Sequence, residues 1–274
     1  MRRLYKIPLA VLVVILVFSL GWCATHQPRG DRNWRPDVQY QATTTLNGDL
    51  LTISHVRDSV YRSTDDFDTR WSEQTYDLSQ VQTVWFSVEP FAEWEGMAHT
   101  LYSFGFADGR YVTLSVEARK EVGEPYSIAR GLTRQLELIY IFATEEDVLR
   151  LRAIHRNHSV YLYQIKTTPQ NARLILEDVA LRANSLAEDP EFYNAIISTC
   201  TTNVVDHINA IVPGRVPKWD FKVLAPGYSD GLAYELGLID TDAPLEEIRE
   251  RYNSQIRIQS WDGTGSFSAW VRGR

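Results

Sequence analysis

Two apolar, strand-like stretches, Met97–Phe106 and Arg110–Arg119, are separated only by the turn Ala107-Asp108-Gly109, and this pairing restricts the fold more than any other local feature. Asp-Gly between such runs marks a β-hairpin, because glycine supplies the positive φ that a tight connection needs. An antiparallel sheet is therefore expected at the centre. Further runs at Asp49–Val56, Val81–Val88, Leu132–Ala143 and Ser159–Lys166 read as strands. Helical patterns alternate with the later ones. Thr144 and Asp147 form a capping arrangement before VLRLRAIHR, and Pro169 opens QNARLILEDVALRANSLAE. A third helix begins near Cys200, where Val204, Val205, Ile208, Ile211 and Val212 make one apolar face that includes the cysteine. Beyond Pro213 the chain reads as loops, with a short helix at Leu245–Tyr252 and a final strand at Ser266–Val271. The expected class is α+β, an antiparallel sheet with packed helices.

The first residues carry Arg2, Arg3 and Lys6, and Ile7–Trp22 then contains no charge. With Cys23 and Ala24 this run approaches the length that spans a ~30 Å hydrocarbon layer, and the flanking positives place the N-terminus inside. Residues 1–25 are thus expected to be an uncleaved membrane anchor rather than a removed signal, 26–37 a polar tether, and 38–274 one exported domain. The rest of the chain would face the periplasm. Trp22 before Cys23 argues against a lipidation site, so Cys23 reads as an inert residue of the span. A net charge of −7 without clustered Lys and Arg excludes a nucleic-acid surface.

That leaves Cys200 as the one cysteine of the exported part, without a disulfide partner. A thiol at a helix start feels unpaired N–H groups and the positive dipole end, which favour the thiolate. It needs a base. His207 lies seven residues along the same helix, about 10.5 Å of rise away, too far for a hydrogen bond, and reads as a surface histidine. His99 lies in the apolar strand MAHTLYSFGF, where an imidazole must find a partner, and a core-facing thiol is one option beside that of a satisfied core histidine. Glu117 is a candidate to orient it. A two-residue turn at Asp108-Gly109 would set His99 opposite Ala118; a three-residue loop with a bulge sets it opposite Glu117. Ser103, on the face of His99, is the fallback, and a solvated strand end is the plainer account of Glu117.

Rival motifs are weaker. Gly227-Tyr228-Ser229-Asp230-Gly231 matches the G-x-S-x-G nucleophile elbow, but no histidine follows His207, so a turn with helix capping explains it better. His155 and His158 end a charged helix and read as surface histidines without metal-ligand spacing. No glycine-rich nucleotide motif occurs, so no cofactor is expected.

Taken in order, NWRPD, YDLSQV, AHTLYSFGFADG, SVEARKEVGEPYS, LRLRAI, YLYQI, DPEFYN, STCTTN and APGYSDGLAYELGL resemble the bacterial family of the Lnb N-terminal periplasmic domain, from about Asn33 onward. The resemblance implies a circularly permuted papain-like (NlpC-type) core, in which a strand histidine precedes a cysteine that begins a helix. It assigns catalytic roles to Cys200, His99 and Glu117. It also implies N-acylation of lipoproteins, with membrane phospholipid or diacylglyceryl lipoprotein as partners. A cell-wall thiol peptidase or amidase and a non-catalytic lipid-binding module are the alternatives. Thr199 stands where the family pattern suggests asparagine, and the chain ends without the C-terminal membrane helices of full-length Lnb, which together suggest a different acyl substrate.

Overall fold

The computed structural model describes residues 6–273; within its first helix the side chains of residues 6–9, 19, 20, 23 and 24 are not described. The described strands are β1 (Thr44–Asn47), β2 (Leu50–Arg57), β3 (Val60–Tyr61), β4 (Phe67–Asp68), β5 (Trp71–Asp77), β6 (Val81–Pro90), β7 (Ala98–Phe106), β8 (Tyr111–Arg119), β9 (Glu137–Ala143) and β10 (Tyr161–Ile165). An eight-stranded sheet runs β1-β2-β9-β8-β7-β6-β10, with β5 also paired to β2; β3 and β4 form a separate ribbon. The sheet is mixed rather than purely antiparallel. Its parallel contact joins β2 to β9 through Arg57 and Ala143, and Thr144 N–H donates to the Arg57 carbonyl. No hairpin links these two strands, so nothing local forces them to run in opposite directions.

The hairpin takes the three-residue form. Phe106 N–H donates to Arg110 and Gly109 N–H to Phe106, with Gly109 at φ +83°, and the strands pair from Gly105 with Tyr111 to Leu101 with Ser115. Beyond that pair β7 and β8 part. β7 stays bonded to β6 as far as Ala98, and β8 to β9 as far as Arg119, which leaves a notch in the sheet between them.

Alternation along the strands builds two cores. On one face Tyr102, Phe104, Leu114, Val116 and Phe142 pack beneath the helices Pro169–Glu188 and Cys200–Ile211. On the other, Leu101, Ile139 and Ile141 meet Val148 and Leu149 of the helix Glu145–Arg150 and the C-terminal Ile258, Phe267 and Val271. Thr144 caps by accepting from Asp147 N–H, and Pro169 stands in the first turn after Thr168. Two expectations change. Ser266–Val271 is not a strand but carries a helix, Phe267–Val271, which Ser266 caps by accepting from Ala269 N–H. The segment expected as a tether packs instead: Arg29 and Gly30 N–H donate to Glu137, and Trp34 is buried.

Lys6–Thr25 is a 20-residue helix. Among the described residues, however, no helix is long and apolar enough to cross a membrane, so the expected anchor is not shown; Arg2 and Arg3 lie outside them, as does the side chain of Cys23.

Candidate active site

Cys200 opens its helix because Thr199 caps it. The Thr199 hydroxyl accepts from Thr202 N–H at 3.2 Å, and the Thr202 hydroxyl accepts from Thr199 N–H at 2.7 Å, a reciprocal capping box. The N–H groups of Cys200 and Thr201, ahead of those that Thr199 accepts from, have no acceptor in the helix, which suits them to a developing oxyanion. Threonine thus fills the capping role that an asparagine would have.

The thiol is buried and lines the same cavity as His99. Burial raises its pKa, but hydrogen bonding and positive charge from His99, with hydrogen bonds from Thr100, outweigh that and bring it down to about 7. His99 is held from behind. Its Nε2 lies 2.8 Å from the Ser115 hydroxyl, which donates to Glu117 Oε1 at 2.8 Å. Ser115 has one proton and commits it to Glu117, so Nε2 must carry the ring proton and donate. Nδ1 is then the nitrogen free to take the thiol proton.

Glu117 joins this chain through a serine, not by facing the imidazole. Burial pushes its carboxyl up, but Arg57, His99 and Arg152 overcome this and hold it well below the usual carboxylate range. Ser103 plays no part: it bonds to Thr113.

Beneath lies a charge network, centred on buried Glu89 and Arg152, that the sequence reading missed. Glu89, paired with His99 across β6 and β7, has Arg152 Nε at 2.6 Å, His158 Nδ1 at 2.8 Å and Arg156 at 3.3 Å. Burial raises its pKa, yet Arg152, His158, Arg156 and His99 bring it down to about 2. Arg152 also reaches to 3.6 Å from Glu117, from a π-helical turn, Leu151–His155. Arg57 bonds Asp147 through Nε and Nη2 at 2.8–3.2 Å, both fully buried. His158, partly exposed, is thus tied to a buried carboxylate rather than free at the surface.

A cavity of about 410 Å³ occupies the notch, lined by His99, Glu117 and Cys200 with Trp94, Tyr126, Lys120 and Arg156 around them. His207 is not near the surface either. It is buried, with Nδ1 2.6 Å from Asp178 and Nε2 2.9 Å from the Tyr140 hydroxyl, and it ties the cysteine's helix to its neighbours.

The G-x-S-x-G stretch serves packing. A Cβ at Gly227 would fall 1.6 Å from the Glu95 carbonyl, so glycine alone lets this turn close on the loop at the cavity rim. Ser229 donates to the Pro226 carbonyl and Asp230 is clamped by Arg249 and Tyr163. No group of three or more His, Cys, Asp or Glu suited to a metal occurs among the described residues.

Residues 67–227 match the Lnb N-terminal periplasmic domain, a span of more than half the chain that contains His99, Ser115, Glu117 and Cys200. The chain belongs to that family. As an Lnb N-terminal domain protein it is assigned to the periplasmic side of the bacterial envelope. No curated protein and no solved structure matches it. The fold of this Lnb-type domain is accordingly described by its own α+β architecture, a mixed sheet covered by helices on both faces.

Proposed function

We propose that the protein is a cysteine-dependent acyltransferase working at the periplasmic face of the inner membrane. The observation that carries this is the Cys200 thiol, lowered to about 7 by a histidine whose far nitrogen is pinned through Ser115 to an ionised Glu117. Cys200 as thiolate attacks an ester carbonyl of a membrane lipid, first-turn N–H groups hold the oxyanion, and His99 protonates the departing glycerol oxygen. An acyl-Cys200 thioester results. An incoming amine, the N-terminus of a diacylglyceryl lipoprotein, then attacks the thioester, His99 takes its proton, and the thiolate is restored.

Two surface features support a membrane setting. Val11–Phe18 are apolar and exposed on all sides of the helix, which fits a lipid environment and supports the N-terminal anchor. The end of that helix docks on the body through Trp22 Nε1–H and the Thr133 carbonyl at 3.0 Å, and exposed Trp94, Tyr126 and Ile128 rim the cavity. The order of histidine on a strand before cysteine at a helix start also supports the permuted papain-like core.

The test is intact-mass detection of an acyl adduct on the purified protein given phospholipid, absent in Cys200→Ala. Failure to trap any adduct, with lipid intact, would overturn the proposal. Adducts formed only with cell-wall peptides would favour the thiol peptidase or amidase instead.

A further inference from the structure

A second cavity lies against the helix that begins with Cys200. Thr201 lines its inner end, and the Thr201 hydroxyl is 3.8 Å from the Cys200 sulfur. From there the space, about 370 Å³, follows the helix to Val212, a rise of about 16 Å. Its walls are mostly apolar, with Phe86 and Phe104 from the sheet, Val204 and Ile208 from the helix and Leu232 and Ala233 from the segment opposite; Lys166, Asn171, Arg215 and Ser229 are among its polar lining residues.

We propose that this cavity receives one acyl chain of the substrate, with the carbonyl at Cys200 and the tail toward Val212. The proposal rests on the acyl-transfer reading of the site and names what selects the chain. Protein interiors ordinarily pack without voids of this size, and the aliphatic and aromatic walls that dominate this one offer water few partners. A peptide would bring amides to the Phe, Val, Ile and Leu surfaces that make up most of this lining and offer them no partners, whereas methylenes need none. At about 30 Å³ each, the share of one water in the liquid, roughly a dozen methylenes fill it. The cavity is therefore a ruler, and Ala233 sits on its wall with only a methyl group.

The experiment measures binding without chemistry. In full-length Cys200→Ala protein, saturated fatty acids of rising length compete with fluorescent parinaric acid. Affinity should climb about fourfold per methylene and level off near a dozen. Ala233→Leu should bring the plateau about three methylenes earlier, matching its added carbons, while Leu232→Ala should move it later. Thermal melts check that both variants fold. Affinity indifferent to length, or one plateau in all three proteins, would overturn the proposal. With Cys200 intact, an acyl adduct whose chain lengths ignore Ala233→Leu sinks the ruler and spares the acyltransferase. A shifted plateau with no adduct does the reverse.

Discussion

Replacing His99 with glutamine should move the titration of Cys200 upward by more than about 1.5 units, from about 7 to beyond the ~8.5 of a free cysteine. The sign follows from the opposing influences on the thiol. Burial raises its pKa, and hydrogen bonding and charge from His99 are the largest influences lowering it, so without the imidazole the raising influence prevails. Glutamine can still bond Ser115, which keeps the strand intact. At pH 7 the thiolate fraction should fall from about one half to about 3% or less. A thiolate of higher pKa is intrinsically more reactive, which masks part of this loss in any single rate. The measure is therefore the midpoint of the alkylation rate against pH, with iodoacetamide as reagent and the adduct read on the Cys200 peptide, apart from Cys23. Ser115→Ala should give a smaller upward shift, since Glu117 then holds the imidazole less firmly. A midpoint still near 7 in His99→Gln would refute the pairing.

Glu89→Gln should destabilise by about 3 kcal/mol in denaturant melts, because buried Arg152 would lose the nearer of its two carboxylates and keep only Glu117 at 3.6 Å. In the parent protein the folded Glu89 pKa lies below its unfolded value, so its contribution of about 3 kcal/mol is complete above pH ~4.3 and is lost as pH falls toward 2; a flat stability curve there would contradict this. His207 is also depressed in the fold, by burial that outweighs Asp178, so stability should begin to fall as pH drops below about 6.5, and His207→Phe should remove that step. Thr199→Ala should cost about 1 kcal/mol while Thr199→Asn costs a few tenths or less, both read from thermal melts, since only alanine removes the cap. Ser229→Ala should leave the Cys200 alkylation midpoint unchanged, and a shift would reopen the serine elbow.

Six of the seven expected strands form, most of them alternating between the two cores, while Ser266–Val271 is helical instead. β1 and β5 escaped notice for a physical reason. They lie at the sheet margin, where TTLN and WSEQTYD bury few side chains and so carry little apolar pattern. Cys200 and His99 were legible as residue types in strained company, a lone thiol at a cap and an imidazole in an apolar strand. Ser115 was within reach: under the three-residue hairpin, alternation puts Ser115 and Glu117 on the face of His99. The network of Glu89, Arg152, Arg156 and His158 was not, since these residues meet only when a π-helical turn aims Arg152 across the sheet. His207 misled because distance along one helix says nothing about the neighbouring helix that supplies Asp178.

Strand alternation by itself would set His99 and Cys200 on opposite faces of the sheet. Leu101, two residues from His99, belongs to the core beneath the charged network, while Cys200 packs with Tyr102 and Val116 on the other side. The notch resolves the conflict. Where β7 and β8 cease to pair beyond Leu101 and Ser115, the sheet no longer separates its two faces, and the cavity holds His99, Glu117 and Cys200 together. Each partner then keeps the environment it requires. The thiol stays on the apolar side, next to the space proposed for an acyl chain, and the imidazole stays on the side where Ser115, Glu117 and the buried arginines fix its proton. Closing the notch by one more pair of ladder bonds would separate the base from the sulfur, so the splay of this hairpin is as necessary to the proposed chemistry as the two residues it brings together.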